Sequence, residues 1–276
     1  MKYLRRSAFA LAALVIWQGS VRRPTPPAQG DRFNGNFPTV ADRATLRVAA
    51  FNIAGGVAPQ DNVLDLNRTA KCLHGFDVIG MEEVHGSNLT EWRDQAQILG
   101  EILKMPWLYA ASETRWWRDD FGNAALCSLP LIRWERIPLS TVLISSNRSL
   151  LRLTVRWHQR PLTILITHLD RHVDHLTELG ACRQALLDAP LPAILMGDLN
   201  TESPDLTSDS LDPPLSALRS DPNVIDVVGI SEGPNWHQKN LDWIFARGLR
   251  LVAGGLAPDD ASDHPVAWAE FAEAAP

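Results

Sequence analysis

A chain of 276 residues, 45% of them hydrophobic, can bury one substantial core, and a single domain of roughly 200–250 residues is an ordinary size. Its formal net charge of −6 excludes a whole-molecule positive field of the kind that gathers nucleic acid from a distance, though not chemistry on a phosphate once bound.

The chain opens with Lys2, Arg5 and Arg6 ahead of an apolar run from Ala8 to Trp17. That run has the length and flanks of an export signal and falls short of the roughly 20 residues a spanning helix needs. Residues 1–20 are read as a signal peptide or signal anchor, with export to the periplasm or the cell exterior. The following "WQGSVRR" lacks a small-residue cleavage pattern, so an uncleaved segment that associates with the membrane stays open, and Arg5-Arg6 is an imperfect twin-arginine pair. Residues 21–44, with "RRPTPPAQGDRFNGNFP", are rich in Pro, Gly and polar residues and read as a flexible tether to a domain at 45–276. Cys72, Cys127 and Cys182 cannot all pair internally and are expected as thiols.

From Thr45 short apolar strands alternate with helical segments. "LRVAAFNI" (46–53) reads as a strand; Val63, Leu66, Ala70 and Leu73 make an apolar stripe at helical spacing; "FDVIGMEEV" (76–84) is the next strand. Strands follow at "GNAALCSL", "LLRLTVRW" and "LTILITHL". A helix is expected over Asp174 to Asp188, then a buried strand at Ala193 to Met196, an irregular Pro- and Ser-rich stretch from Ser203 to Pro222, and strands at "LDWIFA", "LRLVAGG" and "HPVAWAEF". This order predicts two sheets packed face to face with helices outside, an α/β sandwich.

Polar residues recur where the apolar strands end. "RVAAFNI" presents Asn52, "DVIGMEEV" Glu82 and Glu83, "ILITHLD" His168 and Asp170, and "ILMGDLN" Asp198 and Asn200; "LDWIF" begins with Asp242, and "ASDHPV" places Asp263 and His264 before a strand. One strand-end Asp is ordinarily a turn former or a helix cap. Six such sites point to a shared pocket that needs carboxylates, amides and imidazoles together.

These residues resemble the ordered motifs of the endonuclease/exonuclease/phosphatase superfamily: Asn52 in "FNI", Glu83 in "EEV", "GNAAL" with Asn123, "THLD", "GDLN", "LDWIF" and "SDHPV", running from about Leu46 to Phe271. The resemblance implies a four-layer, DNase I-like α/β sandwich that hydrolyses phosphate esters with Mg²⁺, Mn²⁺ being an alternative. It makes the chain a monomeric phosphodiesterase of nuclease type, with a sphingomyelinase-like phospholipid hydrolase or an inositol-phosphate hydrolase as alternatives. The chemistry assigns roles: Glu83, Asn52 and Asp263 to the metal, Asp198 to the attacking water, Asn200 to the phosphoryl oxygens, His168 and His264 to either side of the phosphate, and Asp242 to orienting His264. Asn123 and Arg148 are expected at the substrate. Relatives commonly carry Gln where Glu82 stands; a second-cation ligand and a hydrogen-bonded core residue both fit.

Trp116 and Trp117, in "ETRWWRDDFGN", are further substrate candidates, since adjacent tryptophans among charges read as an exposed loop able to stack on bases or rest on lipid. Two readings compete with the whole. "HVDH" at 172–175 matches part of a dinuclear zinc signature, against a simple polar helix start, and a catalytically silent binding domain would require loss of a strand-end residue.

Overall fold

The computed structural model describes residues 11, 13–19, 21–40, 43–88, 90–115, 120–139, 147–201, 213–232, 241–257 and 260–274. Its elements begin with helix α1 (13–19), β1 (Arg23–Pro24), β2 (Ala28–Gly30), β3 (Leu46–Asn52), α2 (Leu66–Cys72), β4 (Val78–His85), α3 (Gln95–Leu103), β5 (Trp107–Thr114) and β6 (Phe121–Cys127). They continue with β7 (Leu131–Pro138), β8 (Ser149–Trp157), β9 (Arg160–His168), α4 (His175–Asp188), β10 (Ala193–Asp198) and α5 (Pro213–Ser220). The last are β11 (Ile225–Asp226), α6 (Val227–Glu232), β12 (Asp242–Arg247), β13 (Leu249–Ala257) and β14 (Val266–Glu273).

Two mixed seven-stranded sheets form, in the orders β1-β5-β6-β4-β3-β14-β13 and β11-β12-β10-β9-β8-β7-β2. Each holds one parallel pair joined through an outer helix: β3 and β4 across α2, and β9 and β10 across α4. A parallel crossover returns the chain to the same end of the sheet, so the C-terminal ends of all four strands lie together where the sheets face one another. Between the sheets Val48, Ala50, Val78, Leu153, Ile164, Ile166, Ile194, Met196 and Ile244 are buried without remainder. Phe51, Ile79, Ala70 and Leu99 pack beneath α2 and α3, and Leu165, Leu195, Leu179, Leu186, Leu215 and Trp243 beneath α4 and α5. The expected four-layer α/β sandwich is the fold observed.

Three details depart from the sequence reading. Residues 21–44 do not read as a tether over their first part, because β1 adds to the edge of one sheet at Thr114 and Glu113 and β2 to the edge of the other at Trp134 to Arg136. Val63 is exposed and lies ahead of α2, whose N-cap is Asp65, its side chain accepting from the Asn67 and Arg68 N–H groups. Within the stretch expected to be irregular, Pro213–Ser220 is helical and buries Leu215 and Leu218. The three cysteines are thiols rather than disulfides, as expected, with Cys127 and Cys182 buried.

Gly197 shows how tightly the strand ends are set. Its φ is +140°, and a Cβ there would collide with the Thr167 carbonyl oxygen and come within 3.0 Å of Glu82 Oε1. Gly197→Ala should therefore destabilise the protein by at least the ~1–3 kcal/mol of a disfavoured backbone conformation. Denaturant unfolding would show it as a lower midpoint with unchanged slope, and an unchanged midpoint would contradict the placement.

Candidate active site

The strand-end residues meet in one pocket of about 390 Å³, lined by Glu83, Arg148, His168, Asp198, Asn200, Asp242, Asp263 and His264, together with Arg171, Leu241 and Pro265. Register explains the convergence: Asp198 sits opposite His168 on one side and opposite Asp242 on the other. β14 runs antiparallel to β3, which brings the Asp263–His264 turn ahead of it to the end of β3 that carries Asn52.

Asp198 is the hub. Its Oδ2 accepts from Asn52 Nδ2 at 2.9 Å and lies 3.3 Å from His168 Nε2 and 3.9 Å from His264 Nε2, while Oδ1 accepts from the Asn200 N–H at 2.8 Å. The Asn52 contact bridges the two sheets. Burial pushes the Asp198 carboxyl above its ordinary pKa, against the pull of His264, Asn52, the Asn200 N–H and Arg148. A buried carboxylate whose basicity is raised is suited to take a proton.

The two histidines differ in charge for physical reasons. Burial, helped by the positive charges of Arg148 and His264, holds the His168 pKa well below that of a free imidazole. For His264 burial also opposes the charged ring, but its Nδ1 hydrogen bond to Asp242 Oδ2 at 2.8 Å and the charges of Asp242, Asp198 and Asp263 outweigh it and raise the pKa to about 9. At neutral pH the pocket thus holds one neutral imidazole and one imidazolium.

Glu83 lies at a β-bulge in the β4–β6 pairing and has a φ of +57°, a conformation rare outside glycine that turns its carboxylate towards Asn52 Nδ2, 3.2 Å away. Asn52 also accepts the Ala54 N–H on its Oδ1, and its carbonyl accepts the Ser262 hydroxyl. Asn200, with a φ of +48°, donates from Nδ2 to the Leu169 carbonyl at 2.8 Å. Glu83, Asp198, Asp242 and Asp263 put four carboxylates around one small pocket. Such an oxygen-rich donor set fits a hard divalent cation. The Asp198, Asp242 and His264 ligand atoms also lie within 4.8 Å of one another, with His264 Nδ1 already hydrogen-bonded to Asp242 Oδ2.

Some expectations are placed elsewhere. Asn123 is buried and does not line the pocket; it donates to the Ser149 carbonyl at 2.9 Å and so fixes the start of β8, where Arg148 enters. Trp116 and Trp117 lie outside the described residues. The zinc reading of "HVDH" finds no geometry, because His172 is exposed, Asp174 is the N-cap residue of α4, and both ring nitrogens of His175 are used, on the Asp170 carbonyl at 2.7 Å and the Thr201 hydroxyl at 2.8 Å. His175 is thus the first residue of α4, as expected, and is also a buried brace between the two loops that carry Asp170 and Asn200. Arg171 was missed, although its place directly after "THLD" puts it at a strand end.

Glu82 does not line the pocket that Glu83 enters, and it is not the hydrogen-bonded core residue the sequence allowed. It is fully buried, and neither carboxylate oxygen has a partner among the described residues. Burial, reinforced by Asp242, Asp198 and Glu83, drives its pKa well above 4.5. Because the folded pKa exceeds the unfolded one, the Glu82 contribution to stability is full below about 4.5 and is lost as pH rises towards the folded pKa. Glu82→Gln keeps the shape, and its amide can donate to the neighbouring carboxylates. The variant should lose that pH dependence and gain about 1–3 kcal/mol near pH 8, where the unsatisfied acid costs most. Urea midpoints of both proteins near pH 5 and pH 8 test this, and parallel pH trends would count against it.

The chain matches the model of the Endonuclease/Exonuclease/phosphatase family over residues 49–264. No curated protein sequence matches it significantly. Among solved structures, an endonuclease/exonuclease/phosphatase from Beutenbergia cavernae shares the fold with a TM-score of 0.65 at 22% identity, over 84% of this chain and 72% of that one. D. rerio TDP2 complexed with single strand DNA product gives 0.60 at 16%, over 83% and 99%. The human Nocturnin catalytic domain with bound sulfate anion gives 0.60 at 16%, over 91% and 99%. The chain belongs to the endonuclease/exonuclease/phosphatase family.

Proposed function

We propose that this member of the endonuclease/exonuclease/phosphatase family is a divalent-metal-dependent phosphodiesterase. The observation that carries the reading is the convergence on Asp198, where an amide, a neutral imidazole and an imidazolium from both sheets surround one buried carboxylate. In this reading Asp198 orients a water and takes its proton as the oxygen attacks phosphorus, while the ester P–O bond on the opposite side breaks and the departing oxygen takes up a proton from solvent. The Asn200 amide and the His264 imidazolium donate to the phosphoryl oxygens, where charge builds up. His168 flanks the phosphate from the other side, and Arg148 adds positive charge at the wall. Asp242 keeps His264 oriented and charged.

Glu83, Asn52 and Asp263 would hold the cation, Mg²⁺ by preference and Mn²⁺ as a substitute. When bound, the cation supplies charge neutralisation at the phosphoryl oxygens. The sequence leans towards a nuclease-type diester, and D. rerio TDP2, which shares the fold, was solved with a single strand DNA product. The tryptophan pair behind that lean lies outside the described residues, so substrate choice rests on assay. Plasmid DNA, RNA, sphingomyelin, inositol phosphates and bis-p-nitrophenyl phosphate should be compared side by side. Diester hydrolysis is expected to require Mg²⁺ or Mn²⁺ and to stop with EDTA; hydrolysis that persists in EDTA contradicts the reading.

A further inference from the structure

The two side chains that lie side by side at the ends of β3 and β4, Asn52 and Glu83, owe their placing to unusual backbone. The parallel pairing of the strands ends with Asn52 opposite Glu82, and the Ile53 N–H donates to the Glu82 carbonyl at 3.1 Å. Both chains then turn through conformations that L side chains rarely adopt. Glu83 has a φ of +57°, and in the short helical turn after β3 (Ala54–Gly56) the φ values are +47°, +65° and +76°. Glu83 and Ala54 hold such conformations only where the surroundings fix them. The turns also set the side chains. The Ala54 N–H donates to Asn52 Oδ1 at 3.1 Å, and Asn52 Nδ2 donates to Glu83 Oε1 at 3.2 Å. Relaxing either turn would move one member of the pair.

A single side chain from outside both strands bonds the two turns together. Gln95, the first residue of α3, is buried; its Oε1 accepts the His85 N–H at 2.9 Å and its Nε2 donates to the Gly55 carbonyl at 2.6 Å. His85 is two residues beyond Glu83 and Gly55 three beyond Asn52, so each bond grips its chain close to a side chain of the pair. Gln95 is itself held in place. Asp94 caps α3, its side chain accepting the Gln97 N–H at 2.7 Å, and Ala96 and Leu99 lie in the core beneath the helix. The Gly55 turn also packs on His85, since a Cβ at Gly55 would come within 3.0 Å of the His85 Nε2. The bridge needs one acceptor and one donor, which an amide supplies. An ionised acid of the same shape would set an oxygen against the Gly55 carbonyl, and an apolar side chain of similar size would remove both bonds.

We propose that Gln95 is a positioning residue for the cation site: by bonding both turns at once it keeps the Glu83 carboxylate and the Asn52 side chain set side by side before an ion arrives. This rests on the reading that a divalent cation is held at those two residues. The probe is Mn²⁺ alone, added to the metal-stripped full chain and followed by loss of the free-ion electron paramagnetic resonance signal. Gln95→Leu should bind Mn²⁺ at least roughly tenfold more weakly than wild type, the scale on which loss of a group orienting a metal ligand is felt. Gln95→Glu should weaken binding in the same direction and serves if the leucine variant does not fold. Leu99→Ala, one turn along the same helix and buried, loosens α3 without touching either bond and should bind Mn²⁺ as wild type does. In hydrolysis of bis-p-nitrophenyl phosphate the Gln95 variants should need correspondingly more Mg²⁺ for half of their own maximal rate, with KM for the diester at saturating Mg²⁺ unchanged. Wild-type Mn²⁺ affinity in the Gln95 variants overturns the proposal, as does equal weakening in Leu99→Ala, which would assign the effect to a loosened helix. A wild type that binds no Mn²⁺ overturns the cation reading itself and the positioning role with it.

Discussion

Asp198→Asn is expected to lower the rate of diester hydrolysis by roughly 10²–10⁴-fold while leaving the fold intact. Asn keeps the volume and can still accept the Asn200 N–H, so the loop that depends on that 2.8 Å bond has no reason to move. What it removes is the group able to take a proton. It also replaces an acceptor of Asn52, His168 and His264 contacts with an amide whose NH₂ would face their donors, so some of the loss is one of orientation. A loss in kcat with KM little changed would assign the effect to the transition state. Rates within a few-fold of wild type would remove Asp198 from the chemistry.

The second large effect belongs to the His264–Asp242 pair. His264→Ala should cost roughly 10²–10⁴-fold, as loss of a positioned charged donor does. The pair also sets a pH signature. With its pKa raised to about 9, His264 stays charged through neutral pH, so wild-type activity should hold up to that region and fall above it. Stability follows the same sign: the folded pKa exceeds the unfolded 6.5, so the contribution is full below 6.5 and is lost as pH rises through about 9. Asp242→Asn removes the carboxylate that accepts the Nδ1 proton, and the alkaline limb of kcat should move to lower pH. A limb that stays in place would show that the charge on His264 is not what the rate reports.

Much of this site was legible in the sequence because β-strands end abruptly. A run such as "ILMGD" is apolar until the sheet stops, so the first polar residue marks the mouth of whatever the strand points into. Glu83, His168, Asp198, Asp242 and His264 are found that way and share the pocket, and Asn52, found the same way, reaches it through its bonds to Glu83 and Asp198. What was not legible depends on which side a residue faces or on very short pairings. Glu82 and Glu83 are neighbours, and only the bulge at Glu83 decides that one reaches the pocket while the other is sealed between the sheets. β1 and β2 are two and three residues long, too short to show a period, and their Pro and Gly content reads as linker. Pro213–Ser220 carries a real helix signal, Pro at its start and Leu215 and Leu218 three apart, which the surrounding prolines and serines hid. The bracing role of His175 comes from contacts 5 and 26 residues away in sequence that no local pattern announces.

The proposed hydrolysis requires a cation held at Glu83 in the pocket that Asp198 serves. The measurement that meets it most directly is the initial rate of bis-p-nitrophenyl phosphate hydrolysis against Mg²⁺ concentration, for metal-stripped wild type and for Glu83→Gln. Wild type should rise from a background near zero to a plateau, and Glu83→Gln should need at least roughly tenfold more Mg²⁺ to reach half of its own maximum, since one of very few carboxylate ligands is gone. A metal-stripped wild type that is already active, or a variant that saturates at the wild-type concentration, would contradict it.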